Sequence, residues 1–218
     1  MPKIITAAEA ANLVQPHSRV MFGSFLVAGA ADQLIDALCQ TETKNLHMIA
    51  ISTDFAERGV GKLITNKQVK SVQVSHIGTN KSTQAQMNAN QLEIELIPQG
   101  TLMERIRAAG AGLGGILTPT GVDTIVEKGK EKIQVEGKDY LLELPIAADF
   151  AFIKAKKADK LGNLVYYKTA RNGNPTMAMA AQTTIVQADK IVEIGEIDPE
   201  DVVTPGIFVD YLVQSEVK

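Results

Sequence analysis

Apolar residues in this chain follow two rhythms, short nearly unbroken runs and helical spacing. Val20-Met21-Phe22 and Leu46 to Ile51 are runs of the first kind and read as strands covered on both faces, which need not alternate polar with apolar. Val69 to Ser75 and Leu92 to Ile97 follow as further strands, the latter stopped by Pro98. Between them the spacing turns helical. Ala31, Leu34, Ile35 and Leu38 share one face of a helix opening at Ala30, and Leu102, Ile106 and Ala109 line one side of a helix over Thr101 to Ala109. Thr6 with Glu9 three residues later forms a capping box for a helix over Ala7 to Leu13, closed by Pro16.

Other segments are less regular. Phe55 to Ile64 carries Gly59 and Gly61 in a mixed helix and loop pattern, and the amide-rich Thr79 to Asn90 reads as an exposed helix with loop ends. Gly110 to Gly115 is a breaker that opens an irregular stretch reaching Thr124. Ile133 to Val135 and Tyr140 to Leu142 flank Glu136-Gly137 and predict a β-hairpin. Phe150 to Lys154, Thr184 to Val186 and Ile207 to Val213 are the remaining strands, with an Asn172-Gly173-Asn174-Pro175 turn and a helix over Thr176 to Ala181 between the first two. Asp198-Pro199 has the form of a cap followed by proline at the first helical position. Strand and helix alternate at short range. The fold class predicted is α/β: a single open, largely parallel sheet with helices on both faces and an added β-hairpin. No internal repeat and no linker are apparent, so residues 1–218 are expected to form one domain.

Composition narrows the function classes. The net charge of −3 is spread over 22 basic and 25 acidic residues without long runs of one sign, which favours neither nucleic acid nor an anionic membrane. Lys128, Lys130 and Lys132 are interrupted by Glu127 and Glu131 and read as a solvated face. Cys39 is the single cysteine, which excludes an internal disulfide, suits a reducing compartment and is expected to be a small buried hydrophobe. Met1 to Ile5 lead directly into the capped helix, and no apolar run approaches the ~20 residues needed to span a bilayer, so a cytoplasmic protein is expected.

The richest stretch for chemistry is Gly23-Ser24-Phe25-Leu26-Val27-Ala28-Gly29, a glycine loop between a strand and a helix. Glycines admit close backbone approach, and the helix start offers N–H groups that suit a phosphate or pyrophosphate; a turn made for packing alone is the alternative. Neither the Walker pattern nor G-x-G-x-x-G is present. Ser24 lacks the G-x-S-x-G setting of a serine nucleophile, and His17, His47 and His76 lack metal-ligand spacing, so no metal is expected. The acidic residues are scattered, and no pair announces acid–base work.

The order of several motifs resembles the A (alpha) subunit of the family I coenzyme A transferases, which include acetate/acetoacetate, butyrate/acetoacetate and succinyl-CoA:3-oxoacid transferases. They are Gly23 to Gly29 with its helix, Gly59-Val60-Gly61-Lys62-Leu63, Ser75-His76-Ile77-Gly78-Thr79-Asn80 and Pro98-Gln99-Gly100-Thr101-Leu102. Gly110 to Gly115 follows with Leu117-Thr118-Pro119-Thr120-Gly121, then Leu141-Leu142-Glu143-Leu144-Pro145, Asn172 with Asn174-Pro175, and Thr204-Pro205-Gly206. The resemblance implies a fold shared with sugar-phosphate isomerase-like proteins and ping-pong transfer of CoA between carboxylic acids. It implies CoA as substrate, no permanent cofactor, and a partner B (beta) subunit in a heterodimer or α2β2 heterotetramer. The catalytic glutamate would sit on that partner, in a Ser-Glu-Asn-Gly motif absent here, so this chain would hold no catalytic residue and be inactive alone. Gly23 to Gly29 would bind CoA, and Ile51, Ser52, Gln99, Gly100, Gly112, Gly114 and Gly115 would wall the acyl site.

The chain departs from the family pattern in places. Ser24 replaces a glycine and Ala31 a proline, and Ile51-Ser52 stands where an Asn followed by an acidic residue is expected. An Ile side chain donates no hydrogen bond, and losing one oxyanion donor costs ~3 kcal/mol of transition-state stabilisation. That departure motivates a second reading, a non-catalytic sensor of CoA or sugar phosphates on the same scaffold. A sugar-phosphate isomerase is a third, for which no acid–base pair is seen.

Overall fold

The computed structural model describes residues 1–216. In chain order the elements are β1 (Lys3–Ile4), α1 (Ala7–Leu13), β2 (Arg19–Phe22), α2 (Asp32–Cys39), β3 (Leu46–Ser52), α3 (Gly61–Thr65), β4 (Val69–His76), α4 (Lys81–Asn88) and β5 (Glu93–Leu96). Then come α5 (Gln99–Gly110), β6 (Ile116–Thr118), β7 (Lys132–Val135), β8 (Lys138–Glu143), β9 (Ala148–Asp159), β10 (Leu164–Val165), α6 (Asn174–Ala178), β11 (Ala181–Val192) and β12 (Tyr211–Gln214). The large sheet runs β1-β12-β11-β9-β2-β3-β4-β5 with every pair parallel, and β10 adds an antiparallel edge to β9.

Both faces are covered, as the nearly unbroken apolar runs require. Val20 and Phe22 of β2, Met48 and Ala50 of β3 and Phe152 of β9 point into one core with Ala10, Leu34, Leu38 and Leu63 from α1, α2 and α3. Met21, Ile49, Ile51, Ala151 and Ile153 point the other way, onto Leu102 and Ile106 of α5 and Met177 of α6. The open parallel sheet with helices on both faces is therefore the observed architecture.

The hairpin is larger than expected. Glu136 and Gly137 both have positive φ (50° and 79°), the geometry of a tight two-residue turn, and β8 also pairs with β6 to make a separate three-stranded antiparallel sheet. β6 lies inside the stretch expected to be irregular. β9 and β11 each run 12 residues, far beyond the cores expected at Phe150 to Lys154 and Thr184 to Val186, because ten aligned residue pairs along their length hold even the polar ends of both strands in register. The helix expected over Thr176 to Ala181 closes at Ala178, since Ala181 is already the first residue of β11. The last strand starts at Tyr211; Gly206 to Phe208 form a 3-10 turn that leaves Ile207 exposed. The amide-rich helix is only partly exposed, because Thr83 and Gln86 are buried.

Candidate functional site

β2 and β9 are neighbours whose chain continuations diverge: β3, β4 and β5 extend the sheet to one side, β11 and β12 to the other. In open α/β sheets ligands bind at such a switch point, outside the carboxyl ends of the strands. The loop at that position here is Gly23 to Gly29, and beside it lie the loops that follow β3 and β4.

The loop is tightly built. Phe25 and Ala28 exchange backbone hydrogen bonds (3.2 and 3.0 Å), forcing Leu26 and Val27 between them to φ of 49° and 64°, which a β-branched valine rarely adopts. The Leu26 N–H donates to Ser52 Oγ at 3.1 Å and the Val27 N–H to Asp54 Oδ1 at 3.0 Å. Asp54 is fully buried and also accepts from Ser52 Oγ (2.8 Å), Ser24 Oγ (3.2 Å) and the Val60 N–H (3.1 Å). One carboxylate thus ties the loop after β2 to the loop after β3. On the other side, the Asn172 amide donates to Ala28 O at 2.7 Å and the Asn174 amide to Gly29 O at 3.1 Å, while Asn174 Oδ1 accepts from the Lys154 N–H. A Cβ at Gly23 would lie 1.9 Å from Asn174 Oδ1, so only glycine fits there.

This construction corrects the phosphate-cradle expectation. Gly23, Phe25, Leu26, Val27 and Ala28 all use their N–H groups inside the protein, and the Gln33 N–H at the start of α2 donates to Gln187 Oε1. Asp32 adds an acidic side chain in that helix's first turn. An anion there would meet few donors and a like charge. What the half-buried Leu26 to Gly29 offer is a small, rigid, neutral surface.

Asp54 escaped sequence reasoning, although a signal was present. Phe25-x-x-x-Gly29 recurs thirty residues later as Phe55-x-x-x-Gly59, with the same bridge between Phe55 and Arg58 and the same positive φ at the glycine. The repeat overlooked in the sequence is a repeated strand-end turn. A Cβ at Gly59 would lie 2.1 Å from Asp54 Oδ2.

The residues expected to wall an acyl site do not converge. Ile51 is buried against α6, and its Cδ1 would meet a Cβ at Gly173 at 2.9 Å. Ser52 is buried with its hydroxyl on Asp54. β3 ends at Ser52, so the pair just beyond it is Thr53-Asp54 rather than Ile51-Ser52: an acidic residue does follow the strand, with threonine before it. The buried Thr53 hydroxyl has no hydrogen-bond partner among the described residues. Gln99 and Gly100, exposed at the start of α5, share the carboxyl edge. Gly112, Gly114 and Gly115 lie past the far end of this 12-residue helix, ~16 Å away at 1.5 Å per residue; its last residue, Gly110, packs on Met179 just before β11, and Gly115 lies against Leu142 and Glu143 at the end of β8. They belong to the amino edge of the sheet.

His47 is paired to Ser71 (2.7 Å), and among the described residues no three His, Cys, Asp or Glu side chains gather to hold a metal. Burial, then the nearby Asp36 charge, pushes the Cys39 thiol up to about 11. No described helix is long and apolar enough to cross a membrane.

Residues 4–215 match the family described as coenzyme A transferase. The chain belongs to this family. It is 44% identical over 214 residues to the acetate CoA-transferase subunit alpha of Escherichia coli K12, covering 98% of this chain and 97% of that one. The acetoacetyl-CoA:acetate/butyrate CoA transferase alpha subunit of Clostridium acetobutylicum is 46% identical, with 97% of both chains covered. Among solved structures, the acyl-CoA transferase of E. coli O157:H7 in a thioester complex with CoA superposes with a TM-score of 0.85 at 26% identity. This chain is covered to 98% in that match but spans only 47% of the other chain. The glutaconate CoA-transferase of Acidaminococcus fermentans shares the fold at a TM-score of 0.86, with 21% identity, 98% of this chain covered and 75% of that one.

Proposed function

We propose that this coenzyme A transferase chain is the A subunit of an enzyme that moves CoA between a short-chain acyl-CoA or 3-oxoacyl-CoA and a carboxylic acid. The supporting observation is its end-to-end similarity to alpha subunits named for acetate and acetoacetyl-CoA transfer. The geometry agrees with a division of labour. The carboxylate at the carboxyl edge of β2 and β3, Asp54, is buried with both oxygens occupied by donors, so it cannot reach a thioester. The nucleophile is therefore assigned to a glutamate of a B-type partner, in a heterodimer or α2β2 assembly.

In the proposed reaction that carboxylate attacks the acyl-CoA carbonyl and expels the CoA thiolate, leaving an acyl–glutamyl anhydride. The thiolate then attacks the glutamyl carbonyl, releases the first acid and forms a glutamyl thioester; the acceptor acid reverses both steps. The half-buried Phe25, Leu26, Val27, Ala28 and Gly29 lie along the neutral pantetheine arm of CoA, and the buried Gly23 and Ser24 hold the loop from beneath; Ala28 and Gly29 admit the closest backbone approach. Gln99 and Gly100 approach the same edge, and the preorganised loops exclude water from the charged intermediates. The sensor reading lacks support, because the N–H groups a small phosphate would need are already used.

The test is reconstitution with a B-type subunit and measurement of CoA transfer from acetoacetyl-CoA to acetate. Transfer by the pair and none by the isolated chain is expected. Turnover by the isolated chain, or an inactive pair across short acyl-CoAs and acids, would overturn the proposal.

A further inference from the structure

Between Lys154 and Arg171 the chain carries five lysines and one arginine against one acidic residue, Asp159, on a protein whose net charge is −3. Lys154 is neutralised by Asp189 and Lys160 by Glu193. Lys156, Lys168 and Arg171 have no ion-pair partner among the described residues. Two of these meet at one ring: the Lys156 and Lys168 ammonium groups each lie 5.1 Å from the centre of Tyr167, which is half exposed. Tyr166, next in sequence, is buried with its hydroxyl on Thr204 Oγ1 at 2.7 Å, which fixes the backbone that presents Tyr167.

The cations are thus no further apart than those two distances combined, a span comparable to the ~10 Å Debye length at 0.1 M salt, so they repel one another. An attraction of each to the ring offsets this only in part. An anion set between them completes the arrangement, and a flat aromatic ligand has the ring to stack on. The position is informative. The 3-10 turn Lys168–Arg171 abuts the glycine loop: Ala170 Cα would lie 3.0 Å from a Cβ at Gly29, and the Asn172 amide is bonded to Ala28 O. The loop itself has almost no donors left for phosphate, and the unpaired cations stand directly beside it.

Taking the transferase reading as given, we infer that Tyr167, with Lys156, Lys168 and Arg171, is the landing site for the phosphorylated adenosine end of the CoA substrate. The adenine stacks on Tyr167, and the cations take the 3′-phosphate and diphosphate while the pantetheine arm passes over Leu26 to Gly29.

The experiment compares acetoacetyl-CoA with acetoacetyl-pantetheine, which lacks the nucleotide, as donors for the reconstituted enzyme. Lys156→Ala combined with Lys168→Ala should raise KM for the CoA thioester about tenfold, as expected for losing a charge-assisted contact, and leave KM for the pantetheine thioester unchanged. Tyr167→Phe should retain the wild-type KM and Tyr167→Ala should not. Equal losses for both donors, no loss for either, or a defect confined to assembly with the partner would each overturn the assignment. Calorimetric titration of the assembly with adenosine 3′,5′-bisphosphate reads the cluster without turnover: binding weakened about tenfold in the double variant supports it, and unchanged or absent binding refutes it. A wild-type assembly without transferase activity fails the reading of function instead, whatever that titration gives.

Discussion

Asp54 receives four hydrogen bonds in a site closed to solvent, two on each oxygen. Replacing one oxygen by an amide turns an acceptor into a donor that faces another donor. Asp54→Asn should therefore lower stability by about 2–3 kcal/mol, read as a shift in the denaturant midpoint, and an unchanged midpoint would show that the carboxylate does not hold the two loops together. Gly59→Ala should cost roughly 3 kcal/mol, since the residue combines a φ of 59° with a Cβ position 2.1 Å from Asp54 Oδ2. Cys39 makes a pH prediction. With its thiol at about 11, only about one molecule in a thousand is thiolate at pH 8, so iodoacetamide should label the native protein slowly and about tenfold faster per pH unit up to that value. The sign for stability follows: the unfolded chain ionises first, so this group's contribution is fully present below about pH 8.5 and is lost as pH rises toward 11. Labelling at the rate of a free thiol would refute the burial. Of these residues only Cys39 was legible in the sequence, and only in part: its helix position announces burial, while the structure leaves it partly buried at the margin of the core; the role of Asp54 depends on donors from two loops thirty residues apart.

At the scale of elements, the three-stranded sheet depends on Glu143. This carboxylate is buried between Lys130 of the preceding turn and Arg105 of α5, and the Arg105 guanidinium also donates to Leu144 O at 2.7 Å. Glu143→Ala leaves Lys130 without its anion and Arg105 with only the more exposed Glu95, and should destabilise by about 3 kcal/mol, with amide exchange in β6 to β8 accelerating more than in β9. Uniform acceleration across the chain would show that the small sheet is not separately held. Local signals located the hairpin, because Glu136-Gly137 needs no distant partner. They missed β6, three residues inside a glycine- and proline-rich stretch, since its extended form comes from pairing with β8 across an intervening loop. The same holds for the lysine-rich end of β9 and the Gln187-to-Lys190 stretch of β11, whose residues favour a strand only when a neighbouring strand is already there.

For the whole molecule, the first strand pairs with the last: Lys3 aligns with Tyr211 and Ile4 with Leu212. A chain closed in this way, with each strand shared between two cores, should unfold in one cooperative step, and coincident fluorescence and circular dichroism transitions would check it. Two resolved transitions would instead divide the chain into separate units. The alternation of strand and helix, the two-sided apolar runs, the capping box and the chain of family motifs were determined by the sequence alone, because each rests on neighbours within a few residues. The tertiary structure decided which motifs meet. It placed Gly112 to Gly115 at the opposite edge from Gly23 to Gly29, used the glycine loop's N–H groups internally, and set unpaired cations beside that loop, since strand order and helix direction are fixed only when the sheet assembles.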